Sequence, residues 1–457
     1  MRFAKKLLFL FFLGIFFGSV FADGMVIRPD SMPYRQNSQQ AFINYENGKE
    51  NLFIIVDLRD AIASGQKNVW IFPIPAAPET IEINNLKGFP VLAGKEIRQQ
   101  ATENSLLLEA YMVAAAFPPF AILPLLMMSA GSPVPYDGRA MSAAESGIAV
   151  PGLIIYQHID KYGIATEVIK AQDSELFKRF LAARGTNLSS DAEQFLSEYM
   201  GKDYSFIVSW ISDSSAIAGN DSSNSRYPSD YYYPYYGNPI GVFIKFPSEQ
   251  IFYPLKPTAY YGNDTFPVTI NISGFKNADV FSNIKDGTTI GQYYQKFLSR
   301  TIQEEETMRA VFNGNLPDSL NYTRISISKP ASYFTQDLFF SPNESVSAHA
   351  LNFVNQTWLF WMLLIFFCLA FAAVFLANRL LGLNLGYAGM AVIAAANFFS
   401  CFVAGLAIAL MKKEKFGLKP KEDAFAKKFV SLIVFEAIFL GFAIALFALT
   451  VLLTVFS

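Results

Sequence analysis

Gln40-Ala41-Phe42-Ile43-Asn44-Tyr45, then Glu46-Asn47-Gly48-Lys49, then Leu52-Phe53-Ile54-Ile55-Val56-Asp57-Leu58 is the stretch on which the fold turns. Two apolar runs flank an Asn-Gly pair, the strongest short-range signal for a β-hairpin, because the tight turn needs positive φ at both central residues. Downstream, Asn68-Val69-Trp70-Ile71-Phe72-Pro73-Ile74-Pro75 reads as a further strand ending in prolines that cannot donate to a ladder. Together these predict an antiparallel meander. Strand-like runs recur at 204–211, 240–246, 251–255 and 266–272. Between them lies a helical pair. Residues 174–183 place Leu176, Phe177, Phe180 and Leu181 on one side, with Gly185 able to close the helix. Ser190-Asp191-Ala192-Glu193 then has the capping-box form ahead of Phe195, Leu196 and Tyr199. Residues 289–312, rich in Glu304, Glu305 and Glu306, predict another helix, and 331–355 a connector. The expected class is α+β, an antiparallel β-rich domain with a helical pair, followed by a C-terminal three-helix transmembrane bundle.

That last expectation comes from the far end of the chain. Residues 358–378 and 387–410 are almost entirely apolar and uncharged, and 429–456 carry only Glu436. A helix crosses about 30 Å of hydrocarbon with roughly 20 apolar residues, and each run is long enough. At the other end, Arg2, Lys5 and Lys6 precede the apolar run 7–17 and then Val20 and Ala22, the pattern of a secretory signal peptide over 1–22. Residues 23–356 are therefore expected outside the cytoplasm, attached to a membrane block over 357–457. Both cysteines, Cys368 and Cys401, fall inside the apolar runs, so the exported part has neither disulfides nor thiolate metal sites.

Topology carries one conflict. With three spans after an exported domain, the loop 411–428 lies outside, yet it holds Lys412, Lys413, Lys415, Lys419, Lys421, Lys427 and Lys428, which the positive-inside rule assigns to the cytoplasm. Re-entry of 380–410, or a crossing by residues 110–130, the uncharged and proline-broken part of the insert 106–130, would restore the parity. A crossing at the insert would split one β-rich domain across the bilayer, where its strands could not pair.

The chemistry available is sparse. A net charge of −2 gives no electrostatic pull on nucleic acid. The two histidines are His158 and His349, with no H-E-x-x-H and no G-x-S-x-G around a serine. Glu304, Glu305 and Glu306 are consecutive, so on a helix they point to different sides. No catalytic, cofactor or metal residues are assigned. Seven asparagines match the glycosylation acceptor pattern: Asn187, Asn220, Asn263, Asn271, Asn321, Asn343 and Asn355, all before the first span. In the membrane block, Glu436 and Asn397 are the polar residues that an apolar setting makes expensive. The serine- and tyrosine-rich loop 222–238 holds Tyr231, Tyr232, Tyr233, Tyr235 and Tyr236, whose rings and hydroxyls suit an envelope protein or glycan, or simply a polar low-complexity loop.

Several blocks, in order, resemble an uncharacterised family catalogued as domain of unknown function 2330. They are Asp23-Gly24-Met25-Val26, the hairpin from Ser38 to Leu52, Val69-Trp70-Ile71-Phe72-Pro73-Ile74-Pro75-Ala76-Ala77-Pro78-Glu79, Tyr162-Gly163, and Ile240-Gly241-Val242-Phe243-Ile244-Lys245-Phe246-Pro247 with Ile251-Phe252-Tyr253-Pro254. The chain looks like the membrane-anchored prokaryotic members, and sequons with cysteine-free export suit an archaeal envelope. The resemblance implies no reaction, ligand or site residue. The expected function is a membrane-anchored cell-surface binding or structural module in contact with the lipid bilayer. The alternatives are an extracytoplasmic hydrolase of envelope polymers or peptides, and a small oligomeric membrane conduit.

Overall fold

The computed structural model describes residues 25–27, 39–56, 68–89, 92–116, 153–218, 240–296, 302–381 and 386–391. The chain divides into two compact units, one drawing on 25–96 and 153–346, the other on 97–116 and 347–391. The first unit is a β-rich, largely antiparallel α+β fold.

Its strands are β1 (Met25–Ile27), β2 (Gln39–Glu46), β3 (Lys49–Val56), β4 (Val69–Ile74), β5 (Glu82–Lys87), β6 (Lys95–Glu96), β7 (Ile155–Lys161), β8 (Ile164–Ile169), β9 (Ser205–Ile211), β10 (Ile240–Pro247), β11 (Ile251–Tyr253), β12 (Thr265–Ser273), β13 (Thr288–Gln295), β14 (Leu320–Pro330) and β15 (Leu338–Phe340). The helices of the chain are α1 (Ile97–Ala116), α2 (Ser174–Ala182), α3 (Ser190–Ser197), α4 (Ser214–Ala218), α5 (Ser282–Lys285), α6 (Ile302–Val311) and α7 (Val346–Leu381).

Among the described residues one sheet runs β1-β4-β9-β8-β7, a second β5-β10-β3-β2-β12-β14-β13-β6, and β11 pairs with β15. Every neighbouring pair is antiparallel except β2 with β12. The Asn-Gly hairpin forms as read, with Asn47 at φ 54° and Gly48 at φ 74°. The meander does not. β3 lies between β2 and β10, whereas β4 belongs to the other sheet between β1 and β9. Pro73 is tolerated because the β1 ladder stops at Ile71, leaving β4 with β9 alone at that point.

The two sheets face one another. Ala41, Ile43, Leu52, Ile54 and Val242 from one pack with Trp70, Phe72, Val168 and Ile207 from the other. The alternate residues point outward and are also covered. Ile71, Ile169, Phe206 and Val208 meet Phe177, Phe180 and Leu196 of α2 and α3. Phe42, Phe53, Leu86 and Phe243 meet Met308 and Val311 of α6. This four-layer α/β/β/α arrangement explains why β2 and β3 read as near-continuous apolar runs, since both of their faces are buried. A polar stitch crosses the interior, where Asn85 Nδ2 donates to the Ile164 carbonyl at 2.5 Å and Thr166 Oγ1 donates to Asn85 Oδ1 at 2.7 Å.

Several local expectations need correction. Residues 289–312 are not one helix: Thr288–Gln295 is strand β13, because its β-branched and aromatic side chains pair along β14, and the helix starts only at Ile302. The cap of α3 is Ser189, whose hydroxyl accepts from Ala192 N, rather than Ser190. Glu193 does not fold back onto the cap; it accepts from Ser174 and pairs with Lys178. The connector 331–355 contains β15 and the first turns of α7, which begins at Val346.

In the second unit α1 takes up the start of the insert 106–130, whose remainder lies outside the described residues. Asn355 on α7 donates to the Ile97 carbonyl at 2.8 Å and accepts from Asn104 Nδ2 at 3.3 Å. Among the described residues no helix is long and apolar enough to cross a membrane. α7 has 36 residues, but side chains at 365–367 and at several later positions are outside the description, which breaks its apolar run. The runs 387–410 and 429–456, the loop 222–238, Glu436, Asn397 and the lysine loop fall wholly or mainly outside the described residues.

Candidate functional site

The larger sheet extends past the cover of α6, and there its outer face is polar. Val268, Ile270, Ile325 and Ile327 point into the core, so the alternate residues of β12 and β14 point out. Cross-strand register then sets them in rows: Thr269 beside Ser326 beside Thr289, and Asn271 beside Arg324 beside Gly291. A groove of about 350 Å³ lies at the first row, lined by Pro267, Thr269, Asp286, Thr289, Ser326 and Ser328 among others. Asp286 is exposed and pairs with Lys329 at 2.6 Å, which holds its carboxyl below the usual range.

Arg324 is the chemical centre of the second row. Its Nε donates to Asn271 Oδ1 at 2.9 Å and its Nη2 to the Leu92 carbonyl at 2.8 Å. The guanidinium lies 4.9 Å from the Tyr293 ring centre and 5.4 Å from that of Tyr322. These two rings are stacked at 5.3 Å and 11°. Tyr293 can lie along its strand because Gly291, two residues earlier on the same face, has no Cβ; one added there would meet the Tyr293 ring at 2.8 Å. The result is a fixed cation at the side of a stacked ring pair, next to a row of hydroxyls.

The residues singled out from sequence are distributed elsewhere. His158 Nδ1 lies 2.9 Å from Glu167 Oε1, and Arg184 pairs with the other oxygen of Glu167. Arg184 also stacks on Phe180 at 3.6 Å and Trp210 at 4.5 Å. Burial pulls its guanidinium down from the usual value, and Glu167 opposes that. Glu167 is 1 % exposed, so the cluster ties β7, β8 and the end of α2 together. His349 is exposed on α7. Glu304 is buried, Glu305 pairs with Arg309 at 2.9 Å, and Glu306 pairs with Lys161 at 2.9 Å. These acids are ion-pair and packing partners.

Two further carboxyls are displaced by burial. Glu50 is fully buried; its Oε2 accepts from Phe252 N at 2.7 Å while Oε1 has no partner among the described residues, and burial lifts it well above the carboxylate range. Asp337 accepts from the Tyr199 hydroxyl at 2.8 Å and from Lys256 N at 2.9 Å. Burial pushes it up to about 6 despite both bonds, and burial followed by the nearby Asp337 charge pushes the Tyr199 hydroxyl up as well. Among the described residues no cluster of three His, Cys, Asp or Glu is placed to hold a metal ion.

Of the acceptor asparagines, Asn187, Asn263 and Asn343 are exposed, Asn321 is half-buried in β14, and Asn220 is outside the described residues. Asn271 is 7 % exposed beneath Arg324, and Asn355 is 3 % exposed against α1. Arg324, Tyr293 and Thr269 were missed from sequence. The alternation Tyr322, Arg324, Ser326, Ser328 against Thr323, Ile325, Ile327 was the signal that could have found the strand and its outer face. Comparison with protein-family models, curated proteins and solved structures finds no match. The family likeness noted above therefore rests on its residue blocks alone.

Proposed function

We propose that this chain is a membrane-anchored cell-surface protein whose β-sandwich presents a binding face to the envelope. The observation that carries the anchoring is the surface of α7. Leu359, Phe360, Trp361, Leu363 and Leu364 are 41, 61, 39, 40 and 40 % exposed, while Asn355 and Met362 are buried. At about 100° per residue the exposed set covers more than half of the helix circumference. Large apolar side chains exposed over so wide an arc are costly in water, at about 25 cal/mol per Å², and comfortable in lipid.

The length agrees. From Trp358 to Ala377 the helix carries no charge, and 20 residues rising about 1.5 Å each span about 30 Å, the hydrocarbon thickness. Trp358 and Trp361 stand at the start of that run, as tryptophans do at a membrane interface, and Arg379 stands beyond its end. An arginine at that end favours the cytoplasm, which agrees with the leader-like N-terminus in leaving the sandwich outside. The two later apolar runs would complete the three-helix block. The polar face of β12, β14 and β13 supports a binding role, since it pairs a fixed cation with an open groove.

Alkaline carbonate extraction of cell membranes tests the anchoring. The full chain is expected to stay with the membrane pellet, and its release into the supernatant would overturn the proposal.

A further inference from the structure

We infer that the outer face of β12, β14 and β13 binds a carboxylate-bearing saccharide, with Arg324 meeting the carboxylate and the Thr269, Ser326 and Thr289 row meeting sugar hydroxyls. The inference rests on the cell-surface reading for its setting, but its chemistry comes from the face itself.

The decisive feature is charge. Two of the described arginines are half-buried, Arg184 and Arg324. Arg184 has Glu167 as its counter-charge. Among the described residues Arg324 has only neutral partners: an amide oxygen, a backbone carbonyl and two phenol rings. No described carboxylate pairs with it, and its Nη1 donates to no described residue. A partly desolvated guanidinium held rigidly without an anion is an unusual arrangement, because burial of a charge is normally offset by an opposite one. The side chain is also preorganised, so an incoming carboxylate meets a fork whose orientation is already fixed.

The neighbours indicate what carries that carboxylate. Ser326 is two residues from Arg324 on the same strand face, about 7 Å along, and it continues sideways into Thr269 and Thr289. Hydroxyls in a row, a groove of about 350 Å³ and the half-exposed Tyr293 ring suit a short polyol. That volume is at the low end for small-ligand sites, too small for a partner helix. The groove lies on a sheet face, so a peptide docking there could not add itself as a strand through backbone bonds. A uronic acid oligomer supplies both the charge and the hydroxyls.

Calorimetric titration of the full chain in detergent or nanodiscs tests this with three probes: an oligogalacturonate, its methyl ester and an oligoglutamate peptide of equal charge. Oligogalacturonate is expected to bind, and the ester about tenfold or more weakly, the loss expected when one charge-assisted hydrogen bond is removed. Arg324→Gln and Tyr293→Leu should abolish or strongly weaken binding. Thr289→Val, at an exposed position where folding is not at stake, should weaken it several-fold. No binding of oligogalacturonate overturns the inference, as does equal binding of the ester. Equal or tighter binding of oligoglutamate makes the occupant a protein and overturns it too. None of these results touches the anchoring, which is read from membrane fractions.

Discussion

Replacing Asp337 by asparagine should stabilise the sandwich at pH 7 and leave it unchanged near pH 4. Asp337 sits among α3, β15 and the turn that carries Lys256, mostly buried, and its carboxyl is pushed from 3.8 to about 6. The folded state therefore holds the proton more tightly than the unfolded chain does. Between about pH 4 and 6 the folded protein binds more protons, so stability contributed by this group is present below about 3.8 and is lost as pH rises through 6. At 1.36 kcal/mol per pH unit the span corresponds to about 3 kcal/mol, a ceiling, since Asp337 keeps some solvent contact and screening reduces it to ~1–2 kcal/mol. Asparagine preserves an acceptor for Lys256 N and a donor toward the Tyr199 hydroxyl while removing the ionisation. Denaturant unfolding of the full chain and of Asp337→Asn, followed by near-ultraviolet circular dichroism at pH 4 to 8, isolates the term as the difference between the two. The variant should gain on the parent as pH rises from 4 to 6.5 and then hold its lead. A flat difference, or one in which the parent gains with pH, refutes the reasoning.

Other substitutions probe separate layers. Ser189→Ala should cost about 1 kcal/mol by removing the hydroxyl that caps Ala192 N, whereas Ser190→Ala should cost a few tenths at most, read by urea midpoint. Arg184→Met should destabilise by about 3 kcal/mol or more, because it leaves the buried Glu167 with His158 alone, and a thermal melt would show it as a clear drop. Gly163→Ala should be damaging twice over, by its φ of 80° and by the collision of its Cβ with the Asp213 carbonyl; a melting temperature within a degree of the parent would contradict this. If the sandwich is exported, glycopeptide mass spectrometry should find sugar on Asn187, Asn263 or Asn343 and none on Asn271 or Asn355, whose amides are enclosed.

Legibility from sequence followed locality. The Asn47-Gly48 hairpin was readable because a two-residue turn and its flanking runs are decided within a few residues. The helical pair was readable from the spacing of Phe177, Phe180 and Leu181. Sheet membership was not: nothing near Val69 announces that β4 joins β9, some 130 residues away, rather than β3. The acidic run at 304–306 pulled the preceding strand β13 into a helix assignment, and only the ladder with β14 makes Thr288–Gln295 extended. The candidate face was invisible for a different reason. Arg324 is one arginine among many in the sequence, and what distinguishes it is that its partners among the described residues are neutral, a property that exists only after folding. The apolar length of the C-terminal helix, by contrast, needs no partner to be recognised.

Labelling of an Asn343→Cys variant, with Cys368→Ser and Cys401→Ser, by a membrane-impermeant maleimide on intact cells tests most directly whether the sandwich is exported. Residue 343 is exposed on the sandwich three residues before α7 begins. Equal labelling in intact and permeabilised cells is expected of an exported sandwich, and labelling that appears only after permeabilisation would place residue 343 inside.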